Sequence, residues 1–182
     1  MDERKSVLKT FRLSESLARS LEKQAADEGI TGNALANSVI SEYFEWTRKS
    51  REFGFLALPR PMLISLVEKL DEKELDRIGR EVLAATWKEM AQFWFQDSSP
   101  DSILRVLIMR AKFDSKLSTK VMREDGTYTV VLRHDYGPKW SIIVAGALRE
   151  SVKQSFHVEP RMTRGASVIT AHFKVRPTNL PS

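Results

Sequence analysis

SVLKTFRL (residues 6–13), SESLARSLEKQAADEG (14–29) and ITGNALANSVISEYFEW (30–46) follow one another without a break, and the patterning changes at each junction. The first segment alternates on a period of two and reads as a strand. The other two repeat apolar residues every three or four positions and read as helices. An isolated strand of eight residues cannot satisfy its own backbone donors and acceptors, so a partner must supply them. No second strand pattern occurs in the next sixty residues, and the partner expected is the same strand of a second chain.

Residues on a strand alternate between faces, which sends Phe11 and Leu13 one way and Leu8, Thr10 and Arg12 the other. The first pair belongs to a core. On the outer face of a two-chain ribbon, Arg12 can present its fork to guanine O6 and N7, while Thr10 and Leu8 can pack on a thymine methyl. A ribbon of this kind fits the DNA major groove. Ser14 is a good N-cap, Leu17, Leu21 and Ala25 repeat every four residues, and Gly29 stops the helix. The second helix starts around Thr31 to Asn33 and carries Leu35, Val39, Ile40, Tyr43 and Trp46 on one side. About fifty residues are marginal for a single hydrophobic core, so Phe11, Leu13, Leu17, Leu21, Ile30, Leu35, Val39 and Tyr43 suffice only when two copies interlock.

On these residues, positions 6 to 47 resemble a ribbon-helix-helix domain of the Arc, CopG and MetJ kind. The match runs through Leu8, Thr10 and Arg12, the cap Ser14, and the turn Gly29-Ile30-Thr31-Gly32-Asn33. The resemblance implies an intertwined dimer that binds DNA, with Leu8, Thr10 and Arg12 at the base-reading positions. It also implies a phosphate site at the start of the second helix, where free N–H groups near Thr31, Gly32 and Asn33 face an anion with the helix dipole behind them. Lys9 stands where the family usually has an apolar residue, and Leu8 where it more often has a polar reader.

Composition adds limits. The 182 residues carry a net charge of +5, no cysteine and three histidines. Disulfides, thiolate metal sites and cysteine nucleophiles are excluded. No apolar run approaches membrane-spanning length and the start MDERKS has no apolar signal core, so a soluble, cytoplasmic protein, nucleoid-associated when bound to DNA, is expected. Residues 1–52 hold nine cations and nine anions, residues 53–109 seven and nine, and residues 110–182 thirteen and six. Within the first segment the cations gather at Arg4, Lys5, Lys9 and Arg12 and at Arg48, Lys49 and Arg51. Lys5, Lys9 and Arg48 are therefore the expected backbone-phosphate contacts.

The remainder reads as an α+β module. Residues 1–52 form the DNA-binding and dimerisation domain, RKSREFGFLALPRP leads through a packed linker at 53–60, and residues 61–182 form the second domain, helical to about 117. Asp71 with Glu74 makes a capping-box-like start for a long helix with Leu75, Ile78, Val82, Ala85 and Met90 on its buried side. Phe93, Trp94 and Phe95 read as core more readily than as a ligand pocket. Ser99 and Pro100 start a helix bearing Ile103, Leu104, Leu107 and Ile108. From about residue 119 two strands flank Asp125-Gly126, a type I′ hairpin signal. A helix over about 139–156 and two strands, HVEPRM and SVITAHFKV, complete a ββαββ order.

His134, Asp135, Tyr136, His157 and His172 are the candidates for a general base or for metal ligands. No HExxH, phosphate-binding glycine loop or nucleophile elbow accompanies them, so no enzyme, catalytic residue, cofactor or metal is expected. Arg133, Lys139, Arg161, Arg164, Lys174 and Arg176 are candidates for a second basic face, with an anionic effector or DNA as its ligand. The expectation is a homodimeric, sequence-specific transcriptional regulator, a repressor among the possible senses, with the second domain adding contacts between subunits. The antitoxin of a toxin–antitoxin pair and an architectural or segregation protein are the alternatives.

Overall fold

The computed structural model describes residues 7–114 and 116–175. It is an α+β structure that divides into two compact units, residues 1–49 and 50–182.

In the first unit, α1 (Glu15–Glu28) is followed closely by α2 (Gly32–Glu42), which runs into a π-helical turn at Tyr43–Thr47. Ser14 Oγ accepts from the Leu17 amide at 3.3 Å and fixes the start of α1. Gly29 ends it in the left-handed region at φ 68°, where the Gly29 and Ile30 amides donate to the Ala26 and Ala25 carbonyls. Thr31 Oγ1 then accepts from the Ala34 amide at 3.1 Å and starts α2. Residues 7–14 have no regular secondary structure, so the strand expected over 6–13 is not formed in the single chain. The physical reason is the one that made a partner necessary: among the described residues no second strand lies beside it. Ala25 alone is buried in this unit among the described residues.

The second unit contains α4 (Arg60–Val67), α5 (Glu72–Arg77), a π-helical turn at Ile78–Leu83, α6 (Ala84–Phe95) and α7 (Pro100–Phe113). There follow β1 (Leu117–Glu124), β2 (Thr127–His134), α8 (Pro138–Phe156), β3 (Arg161–Arg164) and β4 (Val168–Lys174); α3 (Arg48–Phe53) crosses the boundary between units. The strands form one antiparallel sheet in the order β1-β2-β4-β3. Asp125 and Gly126 turn β1 into β2 with φ of 48° and 73°, both positive as a type I′ hairpin requires. Ile169, Ala171, Phe173 and Val175 are buried while His172 and Lys174 are exposed, which is the alternation the sequence carries.

Helix α8 is covered on two sides. Its Phe156 ring packs against Tyr128 and Phe173 of the sheet at 5.2 and 5.0 Å, and those two rings stack on each other at 5.2 Å. On another side Ile142 and Ile143 join Val67 and Leu75 in a second buried cluster. Two glycines let the backbones meet there. A Cβ at Gly79 would lie 3.0 Å from the Ile143 carbonyl carbon and 3.1 Å from the Ala147 amide, and one at Gly146 would lie 3.0 Å from the Asp76 carbonyl oxygen.

The π turn corrects the expected phase of the long helix. Asp71 caps α5, its carboxylate accepting from the Glu74 amide at 2.9 Å, and Leu75 and Met90 are buried as expected. Val82 and Ala85, expected inside, are exposed; Gly79, Ala84, Trp87 and Ala91 are buried instead. A turn with i→i+5 bonds inserts an extra residue per turn and rotates every later position relative to the α-helical stripe. The Glu74 side chain does not close the capping box, because Arg77 holds it through Nε at 3.0 Å. Further on, Trp94 is buried among Phe53, Phe55 and Phe93 with centroids 5.1 to 6.3 Å apart, so of this aromatic run Trp94 is core while Phe93 is exposed and Phe95 half-buried, and segment 53–60 begins packed. Ile103, Leu104 and Leu107 are buried on α7, but Ile108, expected with them, is exposed.

Replacement of Gly79 by Ala is expected to cost about 1–3 kcal/mol, because the added methyl meets backbone of α8 that cannot rotate away. Chemical denaturation of this variant beside Gly165→Ala, where a Cβ meets nothing closer than 3.5 Å, checks it. Equal midpoints would contradict the close crossing.

Candidate nucleic-acid interface

The reading positions Leu8, Thr10 and Arg12 lie in the exposed stretch before α1, as does Lys9, and Leu8 is 92% exposed. Their alternation is written in the sequence; the single chain does not assemble them into a ribbon. Lys5 lies outside the described residues. Arg48 opens α3 and is exposed.

The start of α2 is better defined. With Thr31 Oγ1 committed to Ala34, the amides of Gly32 and Asn33 have no acceptor among the described residues, which leaves the positive end of the helix dipole facing outward. Next to it sits a residue that sequence reading missed. The Glu22 carboxyl carbon lies 3.0 Å from where a Cβ on Gly32 would stand. An acidic side chain of α1 thus lies beside the N-terminal end of α2, where a negative charge stabilises the helix. No motif marks Glu22. Its only signal is the tight turn at Gly29–Thr31, which returns α2 alongside α1.

Within the second unit the titratable candidates do not converge. His134 is buried, and its Nδ1 accepts from the Tyr136 amide at 3.3 Å, so Nε2 carries the proton toward Ser141 Oγ at 2.9 Å. Ser141 in turn donates to the Ala166 carbonyl at 3.0 Å. The histidine is therefore the donor in this pair, the reverse of a base activating a serine, and the network ties β2 to α8 and to the loop before β4. Burial pushes the His134 pKa below its usual 6.5, an effect the nearby Asp135 carboxylate partly offsets. Tyr136 donates to Asp114 Oδ2 at 2.8 Å, and desolvation with that hydrogen bond pushes its pKa up to about 12. Asp135 pairs with Arg60 at 2.9 Å, His157 caps α8 at φ 55°, and His172 Nδ1 meets Thr129 Oγ1 at 3.0 Å. Among the described residues no group of three or more His, Asp or Glu side chains is placed to hold a metal ion.

The candidate basic face is partly assembled. Arg161 pairs with His172, which pairs with Thr129, and Lys174 and Arg133 share that solvent-facing side of the sheet with Lys120. Lys139 is not part of it: its ammonium donates to the Glu68 and Leu70 carbonyls at 2.8 and 2.7 Å and caps the end of α4. Arg164 pairs with the buried Ile169 and so lies on the opposite side, at the β3 edge. Arg176 is outside the described residues. No helix among the described residues is long and apolar enough to cross a membrane. Comparison with protein-family models, with curated proteins and with solved structures gives no match.

Because the folded pKa of His134 lies below its unfolded value of about 6.5, the unfolded chain binds the proton more tightly. Its contribution is complete above that value and is lost as pH falls through it toward the folded pKa. The melting temperature is expected to fall as the pH is lowered through about 6.5, with a shallower slope in His134→Gln. An unchanged slope in the variant would assign the pH dependence to other groups.

Proposed function

We propose that the chain is a homodimeric, sequence-specific DNA-binding regulator whose N-terminal unit is a ribbon-helix-helix domain, completed by pairing residues 6–13 of two copies. The observation that carries this reading is a helical unit without an interior. Phe11, Leu17, Val39 and Tyr43 are 68, 54, 55 and 45% exposed, Leu13 and Ile30 are also open, and among the described residues of this unit only Ala25 is buried. An apolar stripe of that extent on two well-capped helices needs a cover, and the strand pattern beside it needs a partner's backbone. A second copy supplies both at once. It would also place Thr10 and Arg12 from each subunit in one groove and two α2 starts against the phosphates. The second unit folds around its own core, which favours a regulator over an antitoxin with a segment ordered only by its toxin. The reading assigns this chain no catalytic step.

Selection of bound sites from random duplex DNA tests it: a palindromic or repeated short motif is expected, and the absence of enrichment would overturn it. Arg12→Ala is expected to erase discrimination between the selected and random duplexes at fixed salt, at about 1–3 kcal/mol per bidentate contact, while the circular dichroism spectrum is retained. Phe11→Ala is expected to convert the sedimenting dimer to monomer, because it removes apolar cover on both sides of the symmetry axis.

Glu22→Gln gives a test of opposite sign. Removing the carboxylate beside the Gly32 amides is expected to tighten DNA binding by about two- to fivefold at low salt, the size of one charge at a helix N-terminus. Weaker binding would mean that Glu22 organises the turn more than it repels phosphate.

A further inference from the structure

The second unit encloses a cavity of about 140 Å³ between the inner side of the sheet and the helices. Leu83, Leu107, Leu132 and Val144 line it with the indoles of Trp87 and Trp140, and Arg110 enters the same wall. Apolar cavities of about this size accept a single six-membered ring. The polar groups around it are unevenly satisfied. Asp114 is already engaged, accepting from the Tyr136 hydroxyl at 2.8 Å and the Lys116 amide at 2.9 Å. The Trp87 indole N–H is buried with no acceptor. The Arg110 guanidinium makes no hydrogen bond or ion pair with a described residue; it lies 5.9 Å from the Phe55 ring, and desolvation lowers its pKa, an effect the Asp114 carboxylate partly offsets. A guanidinium carries five donors, and a half-buried one without an acceptor leaves most of them to whatever fills the cavity.

We propose that this cavity is a binding site for a small amphiphilic carboxylate: an apolar body of about six to eight carbons lies among the leucines and the two indoles, and the carboxylate pairs with Arg110. A cation is disfavoured by Arg110, and a neutral hydrocarbon leaves the guanidinium donors without a bonded acceptor. A monocarboxylate matches the one guanidinium without a bonded acceptor in a mainly apolar wall, in which Ser118, Thr119, Arg133, His134 and Tyr136 are the other polar residues. The inference does not depend on the DNA-binding reading, since every residue in it belongs to the second unit.

The tryptophans in the wall provide the readout. The full chain is titrated with benzoate, benzamide, benzylamine and acetate, following intrinsic fluorescence and heat. Benzoate is expected to bind saturably with a Kd of about 10 µM to 1 mM, in line with its few heavy atoms. Benzamide should bind at least about tenfold more weakly, and benzylamine and acetate not measurably, since one ion pair and one buried ring are each worth about that factor. Arg110→Met should keep the fold and bring benzoate down to the level of benzamide. No binding of benzoate at about 10 mM, equal binding of benzamide, equal binding of acetate, or full affinity in the variant would each overturn the proposal. If Arg110→Met does not fold, the four-ligand series on the wild-type chain decides the question alone.

Discussion

The second unit depends on a backbone-to-backbone approach, the crossing of the Ile78–Leu83 turn over α8 at Gly79 and Gly146. Both positions lack the Cβ that would hold the helices apart, and each glycine faces main-chain atoms of the other element. With that approach made, α8 is enclosed: Ile142 and Ile143 meet Val67 and Leu75, while Phe156 meets Tyr128 and Phe173 of the sheet. A helix covered on two sides carries the packing of both layers. The π turn and the glycine contact occupy the same few residues, so the register that permits the close crossing also decides which later residues of α6 face inward.

The first unit has the opposite character. Its helix ends are tightly specified by Ser14, Gly29 and Thr31, yet its apolar residues are open. Local hydrogen bonding defines the elements, and burial does not yet stabilise them. In a globular domain the two normally arrive together, because most helical stability comes from the packed face. Under the proposed dimer the missing burial is supplied by the second copy. Glu22 adds an electrostatic restraint, since a carboxylate beside the start of α2 steadies that helix.

Three buried or half-buried polar groups of the second unit divide by whether their partners are present. His134 has acceptor and donor roles both filled, by the Tyr136 amide and by Ser141, and serves as a brace between β2 and α8. Tyr136 is satisfied by Asp114. Arg110 is the one of the three without a bonded acceptor among the described residues, and it borders an apolar cavity. Burying a charge without a bonded acceptor is costly, a cost the satisfied histidine does not carry.

Short-range chemistry is legible along the chain. Asp125-Gly126 dictated the hairpin because few residues tolerate two successive positive φ angles. Ser14, Thr31, Asp71 and Ser99 marked helix starts because their side chains bond amides only two or three residues away. The alternation of Ile169, Ala171, Phe173 and Val175 fixed the inward side of β4. Which distant segments meet is set by packing. Val82 and Ala85 left the buried side because an inserted π turn shifts phase without a sequence mark, and Lys139 left the candidate basic face because the end of α4, some seventy residues earlier, takes its donors. Glu22 beside Gly32 and Arg110 beside the leucines were equally illegible. The physical reason is common to all four: these interactions are set by how elements pack, and packing depends on side chains far apart in the chain, whereas caps and turns depend on neighbours.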